Sequence, residues 1–243
     1  MLLREILQIL DSISPFELQE RWDNSGLQVG DLDSSITKVY TSIDIDSELI
    51  ATLENGSLLV THHPLLFSPL KSLEYGAYPT KLLVELVKKD IALVAMHTNF
   101  DKTHLNSYVA QKVLCAKDVE CEDFICYFEK KMSFDEALEW VSERLGIECV
   151  RYVEATQHIE RVALTTGSGG SLIDQVKADL FLTGDLKYHD AMRAKEIGLS
   201  IIDIGHFESE RYFAELMASE LKKNEIEAII AQTKNPLSYK GGK

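Results

Sequence analysis

Four short polar clusters hold most of the chain's capacity for chemistry, and each directly follows an apolar run. They are Thr61-His62-His63-Pro64, His97-Thr98-Asn99-Phe100-Asp101, Gly184-Asp185-Leu186-Lys187-Tyr188-His189 and Gly205-His206-Phe207-Glu208-Ser209-Glu210. Of the 7 histidines only His158 lies outside them, counting His104 just beyond the second cluster. In open α/β sheets ligands bind in the crevice at the carboxyl ends of the strands, which is where these clusters fall.

The residue types suit metal ions. Adjacent side chains on an extended backbone point to opposite sides, so His62 and His63 share one ion only across a turn, whereas two neighbouring ions would let each take its own. Pro64 biases His63 away from helix and keeps the pair extended. His206 and Glu210 stand four residues apart at a helix start and so on one face. Asp101, four residues past His97, adds a hard oxygen. The set His62, His63, Asp101, His206 and Glu210 mixes nitrogen and oxygen without thiolate, which suits zinc, iron, manganese or cobalt rather than an iron–sulfur cluster. Five side chains, one of them bridging, would leave positions open on two divalent ions, as a catalytic centre requires. Plainer roles stand beside each residue: a hydrogen-bonded loop pair for His62 and His63, an N-cap for Asp101, and helix-dipole pairing for Glu208 and Glu210.

His97, Lys187, Tyr188 and His189 remain as candidates for proton transfer, His97 first because sequence ties it to Asp101. Gly167-Ser168-Gly169-Gly170-Ser171 follows a strand pattern and opens a helix, where backbone amides could cradle a phosphate. It matches neither the P-loop nor the dinucleotide fingerprint, so a tight turn is its alternative.

These clusters need elements to position them. Apolar, β-branched runs at Lys38–Ile43, Ser57–Thr61, Ile91–His97, Glu160–Thr166, Ala178–Thr183, Leu199–Ile204 and Glu227–Ala231 read as strands. Helical patterns open the chain and recur at Thr80–Lys89, Ser133–Leu145, Ser171–Val176, Tyr188–Glu196 and Glu208–Lys223. A further helix start is signalled at Ser14-Pro15. The alternation predicts an α/β fold with mostly parallel central sheets. Leu58–His63 echoes Leu180–Asp185, and Leu93–His97 echoes Ile201–Gly205, which suggests two similar lobes, 1–124 and 125–243.

Composition bounds the function. The chain has 243 residues, is 45% hydrophobic and carries a formal net charge of −14. That supports a real core and argues against a nucleic-acid or anionic-membrane binder, which needs a positive field. The N-terminus lacks the basic start and small-residue cleavage site of a signal peptide, so a cytoplasmic protein is expected. Cys115, Cys121, Cys126 and Cys149 form no C-x-x-C pair and are expected as reduced structural thiols. The tail Lys234–Lys243 is basic, contains glycine and is expected to be loose.

With these stretches in place, the sequence resembles the GTP cyclohydrolase I type 2 homologues, also called Nif-three-like proteins. The matching stretches are WDNSGLQVG at Trp22–Gly30, THHPLLF at Thr61–Phe67, HTNFD at His97–Asp101, TGSGGS at Thr166–Ser171, TGDLKYHDA at Thr183–Ala191 and GHFESE at Gly205–Glu210. They run in order over nearly the whole chain, whose length resembles the short members without an inserted domain. The resemblance implies two divalent metal ions on His62, His63, Asp101, His206 and Glu210, with Glu210 bridging. It also implies two similar intertwined α/β lobes with the metal site in the cleft between them, and a toroidal homohexamer. The implied reaction is hydrolytic opening of the GTP imidazole ring to formate and 7,8-dihydroneopterin triphosphate. There His97 or His189 would move the proton, while Lys187 and the Gly167, Ser168, Gly169 loop would hold the triphosphate. The chain departs from the family pattern after Asp101, with Lys102-Thr103-His104-Leu105-Asn106 in place of a small Gly-containing loop. The alternatives are a hydrolase of another nucleotide or phosphoester, and a non-enzymatic metal-binding ring protein.

Overall fold

A computed structural model describes residues 1–231 and 233–238; the end of the tail, residues 239–243, lies outside the described residues. In chain order the elements are α1 (Leu3–Ile13), β1 (Gly26–Val29), β2 (Val39–Ser42), α2 (Ser47–Thr52), β3 (Leu58–Thr61), α3 (Thr80–Lys88), β4 (Ala92–Ala95), α4 (Thr98–Phe100), α5 (Asn106–Tyr108), β5 (Glu120–Glu122), β6 (Ile125–Ser133), α6 (Phe134–Leu145), β7 (Arg151–Val153), β8 (His158–Ser168), β9 (Leu180–Gly184), α7 (Tyr188–Glu196), β10 (Ser200–Asp203), α8 (His206–Glu210), α9 (Phe213–Lys223) and β11 (Ala228–Ile230). Among the described residues no helix is long and apolar enough to cross a membrane.

The chain forms two compact units, Met1–Thr103 with Tyr212–Lys234, and His104–Arg211 with residues 235–238. A single cut after residue 124 therefore does not describe them: the first unit takes back α9 and β11 from the far end of the chain.

In the first unit the sheet order is β1-β4-β3-β2-β11. Strands β2, β3, β4 and β11 run parallel, and β1 pairs antiparallel with β4. Both β3 and β4 are buried along their whole length, as near-continuous apolar runs in a covered parallel sheet should be. Tyr40, Leu59 and Leu93 of this sheet pack with Leu82 and Leu86 of α3 and Leu49 of α2.

The second unit holds a sheet of order β5-β6-β8-β9-β10-β7. Only β8, β9 and β10 are parallel; β5, β6 and β7 join antiparallel, so this sheet is mixed rather than mostly parallel. Its core gathers Ala163, Phe181 and Ile201 with Ile125 and Ala194. Helix α6 has the start that its sequence signals: Ser133 Oγ accepts from Glu136 N, and the Glu136 carboxylate returns to the Ser133 N–H. Gly146 closes it with φ 65°, a left-handed cap that favours glycine.

Several expectations are corrected. The Glu208–Lys223 helix is two helices, α8 and α9, and Ser171–Val176 is a 3-10 turn over Gly170–Gln175. The start at Ser14-Pro15 yields only a 3-10 turn at Phe16–Leu18. The stretch after Asp101 that departs from the family pattern continues α4 as a π-helical turn over Asp101–Leu105. Cys121 and Cys126 are not reduced thiols but a disulfide. They face each other across the β5–β6 pair with Cα atoms 4.0 Å apart, close enough for two sulfurs to bond. Cys115 and Cys149 are free and exposed.

Phe181 is fully buried in the central strand of the second unit. Phe181→Ala should lower unfolding stability by about 3–5 kcal/mol, a loss that guanidinium denaturation will measure.

Candidate metal centre

In the first unit the chain stops being extended directly after β3. The His62 and His63 amides both donate to the Ile43 carbonyl, each at 3.2 Å, and Thr61 Oγ1 donates to His63 O at 2.9 Å. This bend, rather than the extended pair the sequence suggests, turns both rings to one side, with centroids 4.9 Å apart. His97, just past β4, completes the group at 5.2 Å from His62 and 5.6 Å from His63. One ring nitrogen from each of the three falls within 4.8 Å of the others, a spacing that could hold a metal ion. Asp101 lies a turn beyond, its Oδ1 3.5 Å from His62 Nε2.

Each imidazole is anchored through Nδ1. His62 Nδ1 lies 2.9 Å from Met96 O, His63 Nδ1 2.8 Å from Asp44 Oδ1, and His97 Nδ1 2.7 Å from Asp23 Oδ1. Carbonyl and carboxylate oxygens only accept, so in each case Nδ1 carries the hydrogen and donates, leaving Nε2 as the donor atom for a metal. Asp23 is itself held firmly. Its side chain is 0% exposed, Oδ2 accepts from Thr98 N at 3.1 Å and from Ser25 Oγ at 3.0 Å, and Thr98 Oγ1 also donates to it. Burial raises the Asp23 pKa, but the hydrogen bond and charge of His97, with Thr98 and the Asn24 amide, outweigh it and hold the carboxyl far below the usual range.

The second unit repeats the device. His206 Nδ1 lies 2.8 Å from Asp185 Oδ2, and His206 Nε2 is 3.1 Å from Glu210 Oε2. Glu210 is only 3% exposed, and a buried carboxylate demands a cation. Burial pushes the His206 imidazole down, but hydrogen bonds to Asp185 and Glu210 and their charge carry its pKa up to about 11. Asp185 sits at φ 54° in the left-handed region directly after β9, and Gly205 at φ 74° two residues past β10. Buried Asp203 ties these two turns together, accepting from Leu186 N at 3.2 Å and Gly205 N at 3.1 Å.

Glycine is required at two points. A Cβ on Gly167 would meet Glu210 Oε1 at 2.1 Å, and one on Gly184 would meet the backbone of Gly167, Gly205 and His206, each at 2.8 Å. The Gly167-Ser168-Gly169 stretch therefore gives Glu210 and His206 room. Two of its amides are committed within the protein, Gly167 N to Ser209 Oγ at 3.0 Å and Gly169 N to Thr183 Oγ1 at 2.8 Å, so they are not turned toward a phosphate. Lys187 and His189 stand exposed at the start of α7, where the His189 ring meets Tyr188 at 5.4 Å.

The donor sets fit a divalent ion. Two donors each about 2.1 Å from one tetrahedral ion stand about 3.4 Å apart, close to the His62–Asp101 and His206–Glu210 spacings of 3.5 and 3.1 Å. Histidine nitrogens with hard carboxylate oxygens, and a carboxylate or carbonyl behind each imidazole, form the usual surroundings of bound zinc and related metals.

The family model for Duf34/NIF3 (NGG1p interacting factor 3) matches residues 1–236. The chain belongs to the DUF34/NIF3 family. A Campylobacter jejuni relative named GTP cyclohydrolase 1 type 2 homolog is 45% identical over 98% of this chain and 100% of its own length. A Helicobacter pylori protein named GTP cyclohydrolase 1 type 2 is 40% identical over 97% of this chain and 98% of its own. Among solved structures, a Staphylococcus aureus hypothetical protein aligns with a TM-score of 0.87 at 27% identity, over 98% of this chain and 99% of that one. A Bacillus cereus protein related to NIF3 gives the same TM-score at 19% identity, with 98% and 99% covered, which shows the shared fold.

In this DUF34/NIF3 chain, residue-by-residue reading of the sequence overlooked Asp23, Asp44 and Asp185, the carboxylates behind the imidazoles. A signal existed. Asp23 and Asp185 lie inside quoted motifs, and Asp44 follows β2 at the same strand end as the other site residues. A histidine ligand needs an acceptor for its second nitrogen, and that requirement points to such residues.

With His206 raised to about 11, the metal-free protein holds that imidazole protonated at neutral pH. A metal must displace the proton, so zinc binding at pH 7 should release it, and affinity should climb as pH rises from 6 to 9. Calorimetry in buffers of differing ionisation enthalpy reads the released proton directly. Asp185→Asn keeps the shape but removes the charge behind His206, and should weaken zinc binding by about 10–100-fold in a chelator competition.

Proposed function

We propose that the chain is a dinuclear metal-dependent hydrolase that opens the imidazole ring of GTP, in which His62, His63, Asp101, His206 and Glu210 would hold the ions. The observation that carries this reading is the common anchoring of the histidines: His62, His63 and His206 each have Nδ1 engaged, so each presents Nε2. The GTP assignment draws on the names of the 45% and 40% identical relatives.

Bound there, divalent ions would supply Lewis acidity and lower the pKa of a bound water toward neutrality. The chain's own residues do the remainder. Asp44, the Met96 carbonyl and Asp185 fix the tautomer and orientation of the three histidine ligands. His97 carries the proton to the ring nitrogen that leaves. Its Nδ1–H is held by Asp23, so Nε2 is the basic atom, and the strongly lowered pKa of Asp23 keeps a full charge there to stabilise the imidazolium once formed. His189, exposed on α7, is the weaker candidate for that task. In line with the resemblance, we place the enzyme in the cytoplasm as a toroidal homohexamer.

The test is GTP turnover by protein stripped of metal and reconstituted separately with zinc, manganese and iron(II), reading formate and pterin fluorescence. Both products should appear together and vanish in His63→Ala. His97→Gln should retain the metal and lose about 100-fold or more in kcat. Absence of formate with every metal overturns the GTP reading, and free phosphate in its place would move the site to phosphoester hydrolysis.

A further inference from the structure

Two large aromatic side chains of the first unit stand half in solvent beside the histidine group. Trp22 is 58% exposed and Phe67 is 50% exposed. Their ring centroids lie 5.9 Å apart, and each meets the His97 ring edge-to-face, at 6.2 Å and 6.4 Å. Scattered exposed apolar residues need no explanation, but a pair of aromatics set together against a polar cluster does.

The pair is braced rather than loose. Asn24 Nδ2 donates to Leu66 O at 2.6 Å, Leu66 N donates to Gln28 Oε1 at 3.0 Å, and Gln28 Nε2 donates to Asn24 O at 2.7 Å. Leu66 adjoins Phe67, and Trp22 adjoins Asp23, whose carboxylate grips His97, Thr98 and Ser25. The backbones beneath both rings are thus fixed to each other and to His97 before any ligand arrives. Phe67 also lines a cavity of about 400 Å³ with Pro64, Lys71 and Tyr78, a volume in the range of small-molecule sites. A net charge of −14 gives the protein no long-range attraction for an anionic ligand, so affinity must come from contact at short range. Aromatic faces supply such contact to planar rings of any base.

We propose that Trp22 and Phe67 form a stacking platform at the mouth of the metal centre that binds the planar ring of the ligand, which makes that ligand a heteroaromatic of the purine type. The proposal rests on the metal-centre reading for its place beside His97, while ring binding itself is measured apart from the metal.

Trp22 is its own reporter. The chain has 2 tryptophans, and Trp140 lies in the other unit against Phe128 and Lys130. The full chain, with and without zinc, is titrated with guanosine, and with ribose 5-phosphate and tripolyphosphate as probes that lack the ring. Guanosine should quench the emission and the ring-free probes should not. Trp22→Leu should abolish the quench and weaken guanosine binding in equilibrium dialysis by about tenfold or more, and Trp22→Phe should recover most of that affinity. Phe67→Leu should weaken it in the same direction, which keeps the test decisive if Trp22→Leu fails to fold. Bound zinc should be unchanged in all three variants. Unaltered guanosine affinity in Trp22→Leu and Phe67→Leu overturns the platform, as does ring-free binding as tight as guanosine, or no guanosine binding at all. Ring-dependent quenching by a protein that takes up no zinc would sink the metal centre and leave the platform standing.

Discussion

The hydrogen bond from an imidazole Nδ1 to a fixed oxygen is the interaction around which the site is arranged. It occurs at His62, His63, His97 and His206, three times to a carboxylate and once to a carbonyl. Each bond orients its imidazole with Nδ1 as the donor, and a carboxylate behind the ring raises the basicity of Nε2. Three of them also require an acidic residue held close to a histidine from a different part of the chain. Asp23 reaches His97 across 74 positions, Asp44 reaches His63 across 19, and Asp185 reaches His206 across 21. The sheets exist, in this sense, to bring neighbouring strand ends together.

Both units do this with the same strand plan. In the first, β2, β3 and β4 lie side by side in parallel, and β1, which precedes them in the chain, pairs antiparallel beyond β4. In the second, β8, β9 and β10 lie in parallel, and β7, which precedes them, pairs antiparallel beyond β10. The correspondence reaches the chemistry: β3 leads to His62-His63 where β9 leads to Gly184-Asp185, and β4 leads to His97 where β10 leads to Gly205-His206. The sequence echo between Leu58–His63 and Leu180–Asp185 is therefore a repeated structural unit with different side chains at its active end. One copy presents imidazoles; the other presents one imidazole between two carboxylates.

Much of this was readable without coordinates. Buried parallel strands appear as apolar runs, so β2, β3, β4, β8, β9 and β10 were all marked, as was the apolar but largely exposed β11, and the polar residues at the strand ends stood out. The antiparallel strands β1, β5, β6 and β7 were not. Glu120–Glu122 is exposed throughout, Arg151–Val153 has one buried residue, Gly26–Val29 begins with a glycine, and in β6 the buried Ile125–Phe128 gives way to Glu129-Lys130-Lys131, so none shows a long apolar run. The break between α8 and α9 escaped because Glu208–Lys223 keeps helical periodicity across it. The bend at His62-His63 escaped too, since it is made by the carbonyl of Ile43 just past the end of β2, a non-local partner that no window of sequence contains. The carboxylates behind the histidines were missed for the same reason, as pairing across tens of residues is a property of the sheet.

Glycine placement shows how narrowly the second unit is built around its carboxylate. Gly167 lies at φ 61°, and the Glu210 carboxylate occupies the space a side chain would need. Gly184 is pressed by the backbone on three sides, including the His206 amide, so any larger residue would have to move the very turn that carries the imidazole. Glu210 is thus seated in a cradle of backbone, nearly out of water, with His206 as its neighbour at 3.1 Å. Desolvating a carboxylate so fully costs more than a neutral imidazole restores, and hydrogen bonds to Asp185 and Glu210, with their charge, hold the His206 imidazole protonated with a pKa of about 11. The fold has accepted an anionic hollow that a proton on His206 fills only in part. A metal cation on His206 and Glu210 would balance the same carboxylates without that proton.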